Sequence, residues 1–287
     1  MKNLKAWDYK LPKNWKPKND FEWQWYLIRK INYGDFKGLK AALIKKYWQK
    51  IKKYLTPGKR LLKIFLNIME VLNKIQKIVL DIFSRSDLSK KFYFTGGTAL
   101  AFFYLKHRKS DDLDFFTDED FGLKDIEDFI NELKKKLGLA SINVKKFNGR
   151  YEIIIQNKEF CRIDFNKFEY KALKKKNKFK NILIDSLEDI SANKTLSLFD
   201  RNEPKDVFDI YFLIKKADLS SKKLLKLTEK KFGLKFSEDN FWEECLKKSK
   251  NIIRLKPYLL SRNRNILSEI KEFFEKESSR YLKKILK

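Results

Sequence analysis

Cysteine is nearly missing from this chain: its 287 residues include only Cys161 and Cys245, with no paired spacing. Neither a disulfide framework nor a zinc knuckle can be built from them, so a reducing cytoplasm is the expected home. Histidine occurs once, as His107 at the end of an apolar helical stretch. No serine or cysteine stands at a recognisable catalytic motif to act with it, and it reads as structural or phosphate-adjacent. Glycine (9) and proline (5) are few, and an aromatic share of 15% accompanies them. A disordered, low-complexity or collagen-like chain is thereby excluded. No apolar run approaches the roughly 18 residues of a membrane span, and the opening Met1-Lys2-Asn3-Leu4 has no apolar leader core. Secretion and a membrane location are not expected.

Positive charge is what the chain has in excess: 66 Lys and Arg against 38 Asp and Glu, a formal net charge of +28. An excess of this size attracts polyanions, because phosphate contacts release counterions, and nucleic acid is the first partner to consider. The alternative is compositional, with lysines simply solvating helix faces. Distribution argues for more than composition, since residues 1–68 hold 18 Lys and Arg and 4 Asp and Glu. The same segment holds five of the six tryptophans, Trp7, Trp15, Trp23, Trp25 and Trp48. Its apolar residues recur at three and four over 21–30 and 39–54, which predicts helices separated by a turn at Asn32-Tyr33-Gly34-Asp35. A second break at Thr56-Pro57-Gly58 precedes a long helix expected from Leu61 to Phe83. The aromatics can stack on unpaired bases or form the core of a helical hairpin.

The period then changes. Phe92-Tyr93-Phe94 predicts a strand, Gly96-Gly97-Thr98 a tight turn, 99–106 an apolar helix and 113–116 a strand. A helix over 123–137 follows, then strands near 142–147, 151–156 and 160–165, the last two forming a hairpin across Asn157-Lys158-Glu159. Residues 171–180 read as a basic solvated linker, and three or four helices are expected from Leu187 onward. The fold class is therefore α+β, a mixed sheet with helices. It divides into a basic, Trp-rich helical segment (1–67), an α/β core (68–186) and a C-terminal helical bundle (187–287).

Residues two apart on a strand face the same way, so Asp112 and Asp114 present both carboxylates to one side, roughly 6–7 Å apart at Cα. Asp164 alternates with Cys161, Ile163 and Phe165, whose positions face the apolar side. If its strand lies beside that of Asp112 and Asp114, the three acids suit Mg2+ or Mn2+ and an in-line phosphoryl or nucleotidyl displacement. Gly96 and Gly97 permit close backbone approach, and the helix after them offers N–H groups to an anion such as a triphosphate. Neither a Walker A motif nor a dinucleotide fingerprint is present.

Taken together, Gly96-Gly97-Thr98-Ala99-Leu100, a helix ending in His107-Arg108, and Ser110-Asp111-Asp112-Leu113-Asp114-Phe115-Phe116 closely resemble the first motif of the nucleotidyltransferase-fold AbiEii family. This family is the toxin half of abortive-infection toxin–antitoxin systems. Asn193-Lys194, Asp200-Arg201, Lys205-Asp206 and Asp209-Ile210-Tyr211 resemble its helical motifs, and the similarity spans roughly 68–216. It implies a metal-dependent enzyme that moves a nucleotide from an NTP to an acceptor hydroxyl. In that scheme Asp112, Asp114 and Asp164 hold the ions, Asp164 also helps to deprotonate the acceptor, and Gly96, Gly97, Thr98 and Ser110 lie at the phosphates. Lys194 contacts phosphate, and Asp209, with Asp206, organises the site. Lys194 and Arg201 are seven apart, two turns along one helix face, so both would reach a triphosphate. The net charge favours RNA, such as a tRNA end, as acceptor, and a toxin role implies an antitoxin partner. A small-molecule nucleotidyltransferase and a non-catalytic nucleic-acid-binding or antitoxin-like module are the alternatives. The first wants acidic residues facing a cationic substrate, and the second is disfavoured by the presence of all three acids. Residues 1–67 lie outside the similarity, where they either recruit nucleic acid or restrain the core.

Overall fold

The computed structural model describes residues 15–32, 39, 41–51, 54–55, 71–156, 159–260 and 265–286. The arm with Trp7, the turns expected at 33–35 and 56–58, residues 61–70 of the expected long helix and Asn157-Lys158 lie outside them. The chain divides into two compact units, 1–70 and 71–287.

In the first unit, α1 (Asp20–Asn32) and α2 (Ala41–Ile51) form a hairpin. Leu27, Ile31, Ile44, Tyr47, Ile51 and Leu55 make its core, with Trp23 and Trp48 packed against it. These two tryptophans are therefore core residues, while Lys16, Lys18, Lys46 and Lys50 stay exposed. The Tyr47 hydroxyl donates to the Asp20 carboxylate, tying the two helices together.

The second unit opens with α3 (Lys74–Arg85), set off from helical Val71 by a break at Leu72 and Asn73 within the expected long helix. Asn73 explains the start: its Oδ1 accepts from the Gln76 N–H (2.8 Å) while Gln76 Oε1 accepts from the Asn73 N–H (3.0 Å), a reciprocal cap. A short turn of helix, α4 (Leu88–Lys91), leads into β1 (Tyr93–Thr95). No separate turn follows; α5 starts at Gly96 itself and runs to Ala99. It then widens into a π-helix over Leu100–Leu105, which Lys106 ends in the left-handed conformation (φ 48°). Next come β2 (Asp112–Thr117), α6 (Leu123–Leu137), β3 (Asn143–Phe147), β4 (Arg150–Gln156) and β5 (Phe160–Lys167). The expected linker is partly a strand: β6 (Asn177–Phe179) pairs antiparallel with β7 (Ile182–Ile184).

The sheet is seven-stranded, in the order β3-β4-β5-β2-β1-β7-β6, with β2∥β5 and β1∥β7 as its parallel pairs. Alternation along β2 buries Leu113 and Phe115 on one face and leaves Asp112, Asp114 and Phe116 on the other. Phe115 stacks on Phe83 of α3 (4.0 Å) and Phe165 meets Phe129 of α6 edge-on (5.7 Å). The opposite face is left for chemistry and lies under the helical half of the unit. That half contains α7 (Leu187–Asp200), α8 (Pro204–Ala217), α9 (Ser221–Phe232), α10 (Glu238–Ser249), a 3-10 helix (Ile252–Tyr258) and α11 (Ile266–Ile285). Among the described residues five α-helices thus stand where three or four were expected. None of the described helices is long and apolar enough to cross a membrane.

Candidate active site

The strands deliver the carboxylates. Asp114 lies opposite Thr95 of β1, and across the parallel β2–β5 pair Asp112 faces Arg162 and Asp114 faces Asp164. Gly96 makes room for this row: its φ is +76°, and a Cβ there would lie 1.9 Å from Asp114 Oδ2. Burial pushes the Asp114 carboxyl up to about 7, and the neighbouring Asp112 and Asp164 carboxylates push it the same way. Asp164 is differently placed. Its Oδ1 accepts from Arg150 Nη2 (2.7 Å), and its Oδ2 lies 3.0 Å from Arg162 Nε. Arg162 also places Nη2 3.0 Å from Asp112 Oδ2, so it bridges two of the three acids.

A second cluster comes from the helices. Asp209 on α8 is fully buried and accepts from Arg108 through both carboxylate oxygens (2.7 and 2.9 Å). Lys194 Nζ lies 2.8 Å from Asp209 Oδ2 and 3.1 Å from Asp206 Oδ1. His107 Nε2 is 2.7 Å from Asp209 Oδ1, while its buried Nδ1 has no partner. Burial draws the imidazole down to about 4 against the opposing pull of Asp209, so His107 is neutral and Nε2 carries the donated proton. For Asp209 burial works toward protonation, but Arg108 and Lys194 overcome it and hold the carboxyl well below the ordinary range. Lys194 is likewise desolvated, yet Asp209 and Asp206 keep its ammonium above its usual value.

Arg201 departs from expectation. α7 ends at Asp200 and Arg201 is extended (φ −140°, ψ 152°), so it does not continue the helix face of Lys194. It reaches the same place from the loop, donating to both oxygens of Asp206 (2.8 and 2.9 Å). Lys205 pairs with neither helical acid; its Nζ sits 4.0 Å from Asp112 Oδ2 and over the ring of Tyr258.

These groups enclose a cavity of about 660 Å3 whose wall includes Gly96, Gly97, Arg108, Ser110, Asp112, Asp114, Arg162, Lys194, Arg201 and Lys205. Of the expected residues, Thr98 is not on this wall. It is fully buried and its hydroxyl donates to the Asp112 carbonyl, bracing the strand rather than facing a ligand. Asp209 is behind the wall, acting on the cavity through Lys194 and Arg108. Asp164 stands beside Asp114 as expected but is engaged by two arginines. Sequence reasoning passed over Arg108, Arg162 and Lys205. Arg108 had one visible signal, the glycine at 97, where a Cβ would lie 2.6 Å from Arg108 Nη2.

The donor set fits a divalent cation in part. Asp112 and Asp114 are adjacent hard-oxygen groups, and burial together with the neighbouring carboxylates raises the Asp114 carboxyl. Among the described residues no three metal-ligating side chains converge into a ready cage. Two carboxylates completed by substrate phosphate oxygens is a common Mg2+ arrangement.

A mixed sheet carrying paired carboxylates, roofed by helices that bring lysine and arginine, defines a nucleotidyltransferase-like protein. Residues 78–276 match the family described as nucleotidyl transferase AbiEii toxin, Type IV TA system. The chain belongs to this AbiEii family. An uncharacterized protein of Aquifex aeolicus (strain VF5) is 31% identical over 166 residues, 57% of this chain and 77% of its own length. The crystal structure of JHP933 from Helicobacter pylori is 18% identical, covering 75% of this chain and 96% of that one at a TM-score of 0.48. That of the Megavirus polyadenylate synthase is 16% identical over 74% of this chain and 41% of its own, at a TM-score of 0.38.

Proposed function

We propose that this chain transfers a nucleotide from an NTP to an acceptor hydroxyl, with RNA, such as the end of a tRNA, as the acceptor, and that it does so as a toxin restrained by an antitoxin. The observation that carries the reading is the single cavity in which the Asp112–Asp114 pair faces Lys194, Arg108, Arg201 and Lys205. Carboxylates on one wall and cations on the other match the two needs of the reaction, a cation site and neutralisation of a polyphosphate.

Mg2+ or Mn2+ held by Asp112 and Asp114 would polarise the phosphoryl oxygen under attack. The protein's own groups do the rest. Lys194, Arg201 and Lys205 neutralise charge that grows on the leaving pyrophosphate, an effect strengthened by desolvation. Gly96 and Gly97 let backbone N–H groups approach phosphate closely. Asp209 and Asp206 fix Lys194, Arg108 and Arg201 in place, so little reorganisation is left for the moment of reaction. Asp164, beside Asp114 and paired with Arg150 and Arg162, would complete the acidic set and help to take the proton of the acceptor hydroxyl.

The test is to incubate the purified chain with each α-labelled NTP, Mg2+ or Mn2+ and total RNA. Label in an RNA band that disappears with Asp112→Asn supports the reading. Label confined to a small molecule replaces the acceptor, and no turnover with any NTP overturns the enzyme assignment.

A further inference from the structure

The cavity is not uniform from end to end. Along β2 the residues on its face run Asp112, Asp114, Phe116, each about 7 Å beyond the last. The Asp112 end is basic, with Arg162 and Lys205 against it and the single ring of Tyr258 beneath the Lys205 ammonium. The Phe116 end is aromatic. Phe168 lies 4.8 Å from Phe116 by ring centroids, its N–H held by the Thr117 carbonyl. Tyr170 lies 5.2 Å from Phe168 and 4.8 Å from Phe232 of α9. Tyr170 is 51% exposed, so this shelf offers ring surface to the cavity instead of closing into a core. Lys231, the cation beside it, is committed to Asp189 at 2.8 Å.

α7 crosses above with the same polarity. Ile190, Asn193, Lys194 and Ser197 line the cavity at helical spacing, and Arg201 follows them. The Asp189–Lys231 pair ties the start of α7 to α9, so Ile190 and Asn193 belong to the aromatic end and Arg201 to the basic end. Asn193 Oδ1 is buried there without a hydrogen-bond partner. An unpaired buried acceptor beside flat aromatic surface suits a planar ligand that carries N–H groups on its edge.

We infer that the shelf of Phe168, Tyr170 and Phe232 is the nucleobase subsite of the incoming NTP, with Asn193 Oδ1 accepting from the edge of the base. This rests on the NTP reading of the cavity. The order base, sugar, α-phosphate, β- and γ-phosphates then follows the order of the wall: aromatic shelf, Asp114, Asp112, basic end. Asn193 becomes the specificity determinant, favouring the base whose amino or imide N–H falls within reach of Oδ1 when its ring lies on the shelf.

Equilibrium binding to the full chain separates the parts, using the four NTPs with a non-cleavable α–β bridge and inorganic tripolyphosphate as the base-free probe. Tyr170→Ala, at an exposed position, and Phe232→Leu, which keeps apolar bulk, each weaken NTP binding by about 5- to 100-fold while tripolyphosphate binding holds. Asn193→Leu changes the rank order of the four NTPs. Equal loss for NTP and tripolyphosphate, or no loss for either, overturns the subsite while leaving the NTP reading intact. Loss of RNA affinity alone reassigns the shelf to the acceptor and also overturns it. A wild-type chain that binds tripolyphosphate and no NTP in preference to it removes the base subsite, and one that binds neither removes the NTP reading itself.

Discussion

The second unit holds two clusters made of the same residue types and built to opposite electrostatic ends. On the helices, Asp206 and Asp209 meet Arg108, Lys194, Arg201 and His107, and every carboxylate oxygen has a cationic or N–H partner. On the strands, Asp112, Asp114 and Asp164 crowd together with Glu152 beside them, against Arg162, Arg150 and the more distant Lys205. Asp209 is held well below the ordinary carboxylate range, whereas Asp114 is pushed up to about 7. Proximity of acids to bases therefore does not distinguish a structural network from a ligand site; the leftover charge does. The helical cluster is closed, and the strand cluster keeps acidic groups that its own cations do not fully pair.

Substitutions that remove one charge from each cluster should give opposite phenotypes, and the largest effect is on activity. Asp112→Asn or Asp114→Asn lowers NTP turnover by at least about 10³-fold, some 4 kcal/mol of barrier, in a chain that remains folded. Asp114→Asn also raises thermal stability at pH 8. Its folded value of about 7 stands above the ordinary 3.8, so the stability linked to this group is present below 3.8 and lost as pH rises through 7. Asn removes that penalty. Turnover assays and melting curves read both effects, and an unchanged rate in the double Asn variant contradicts the assignment.

Asp209→Asn should do the reverse to stability, costing about 3–5 kcal/mol by leaving Arg108 and Lys194 buried without their counter-charge. Chemical denaturation measures it. A loss under 1 kcal/mol would show that the cluster is not closed.

Lys194→Ala lies between these cases, because the ammonium serves the closed cluster and faces the cavity. NTP use should fall about 10- to 100-fold with metal binding retained. Stability should fall less than for Asp209→Asn, since Asp206 keeps Arg201 and Asp209 keeps Arg108. If activity per folded molecule is unchanged, Lys194 belongs to the structural network alone.

His107 gives a pH signature. Its folded value of about 4 lies below 6.5, so its contribution is complete above pH 6.5 and is lost as pH falls toward 4. Asp114 and Asp185, pushed up to about 7 and about 6, take up protons in the folded state over the same range and oppose it. The comparison of His107→Gln with the parent isolates the histidine: the variant should be less destabilised between pH 6.5 and 4 by a few kcal/mol at most. Parallel stability–pH curves would show a His107 that is charged in the fold.

How much of this could be read in the sequence follows the range of the interaction. Period two placed Asp112 and Asp114 on one face, and the spacing of Ile126, Phe129, Ile130 and Leu133 delimited α6, because those signals are local. Arg162 was visible as the neighbour of Asp164, but its grip on Asp112 depends on the β2–β5 register. Arg108 sits between a π-helix and a strand, where no periodicity points at it. Pro204 marks the start of α8 in the sequence and disfavours helical backbone at Glu203 just before it, but the two-turn spacing drawn from Lys194 to Arg201 ran one residue past the end of α7. β6 hid in a lysine-rich run that is exposed on both faces, so no alternation marked it.

The first unit shows a third use of charge, exposed on a hairpin that buries Tyr47 and half-buries Trp23 and Trp48 against its core. Its smallest testable effect is on salt dependence. If residues 1–67 recruit RNA, replacing Lys16, Lys18, Lys46 and Lys50 by Gln reduces the slope of log K against log salt by up to about 0.7 for each lysine that meets a phosphate. An unchanged slope and affinity assign the excess charge to solvation.

The strand and helical clusters are separated most directly by Mn2+ titration of the purified chain followed by electron paramagnetic resonance, in the presence of a non-cleavable NTP analogue. Saturable binding should occur in the parent and in Lys194→Ala and vanish in the Asp112→Asn, Asp114→Asn double variant. Undiminished Mn2+ binding by that double variant would contradict the account.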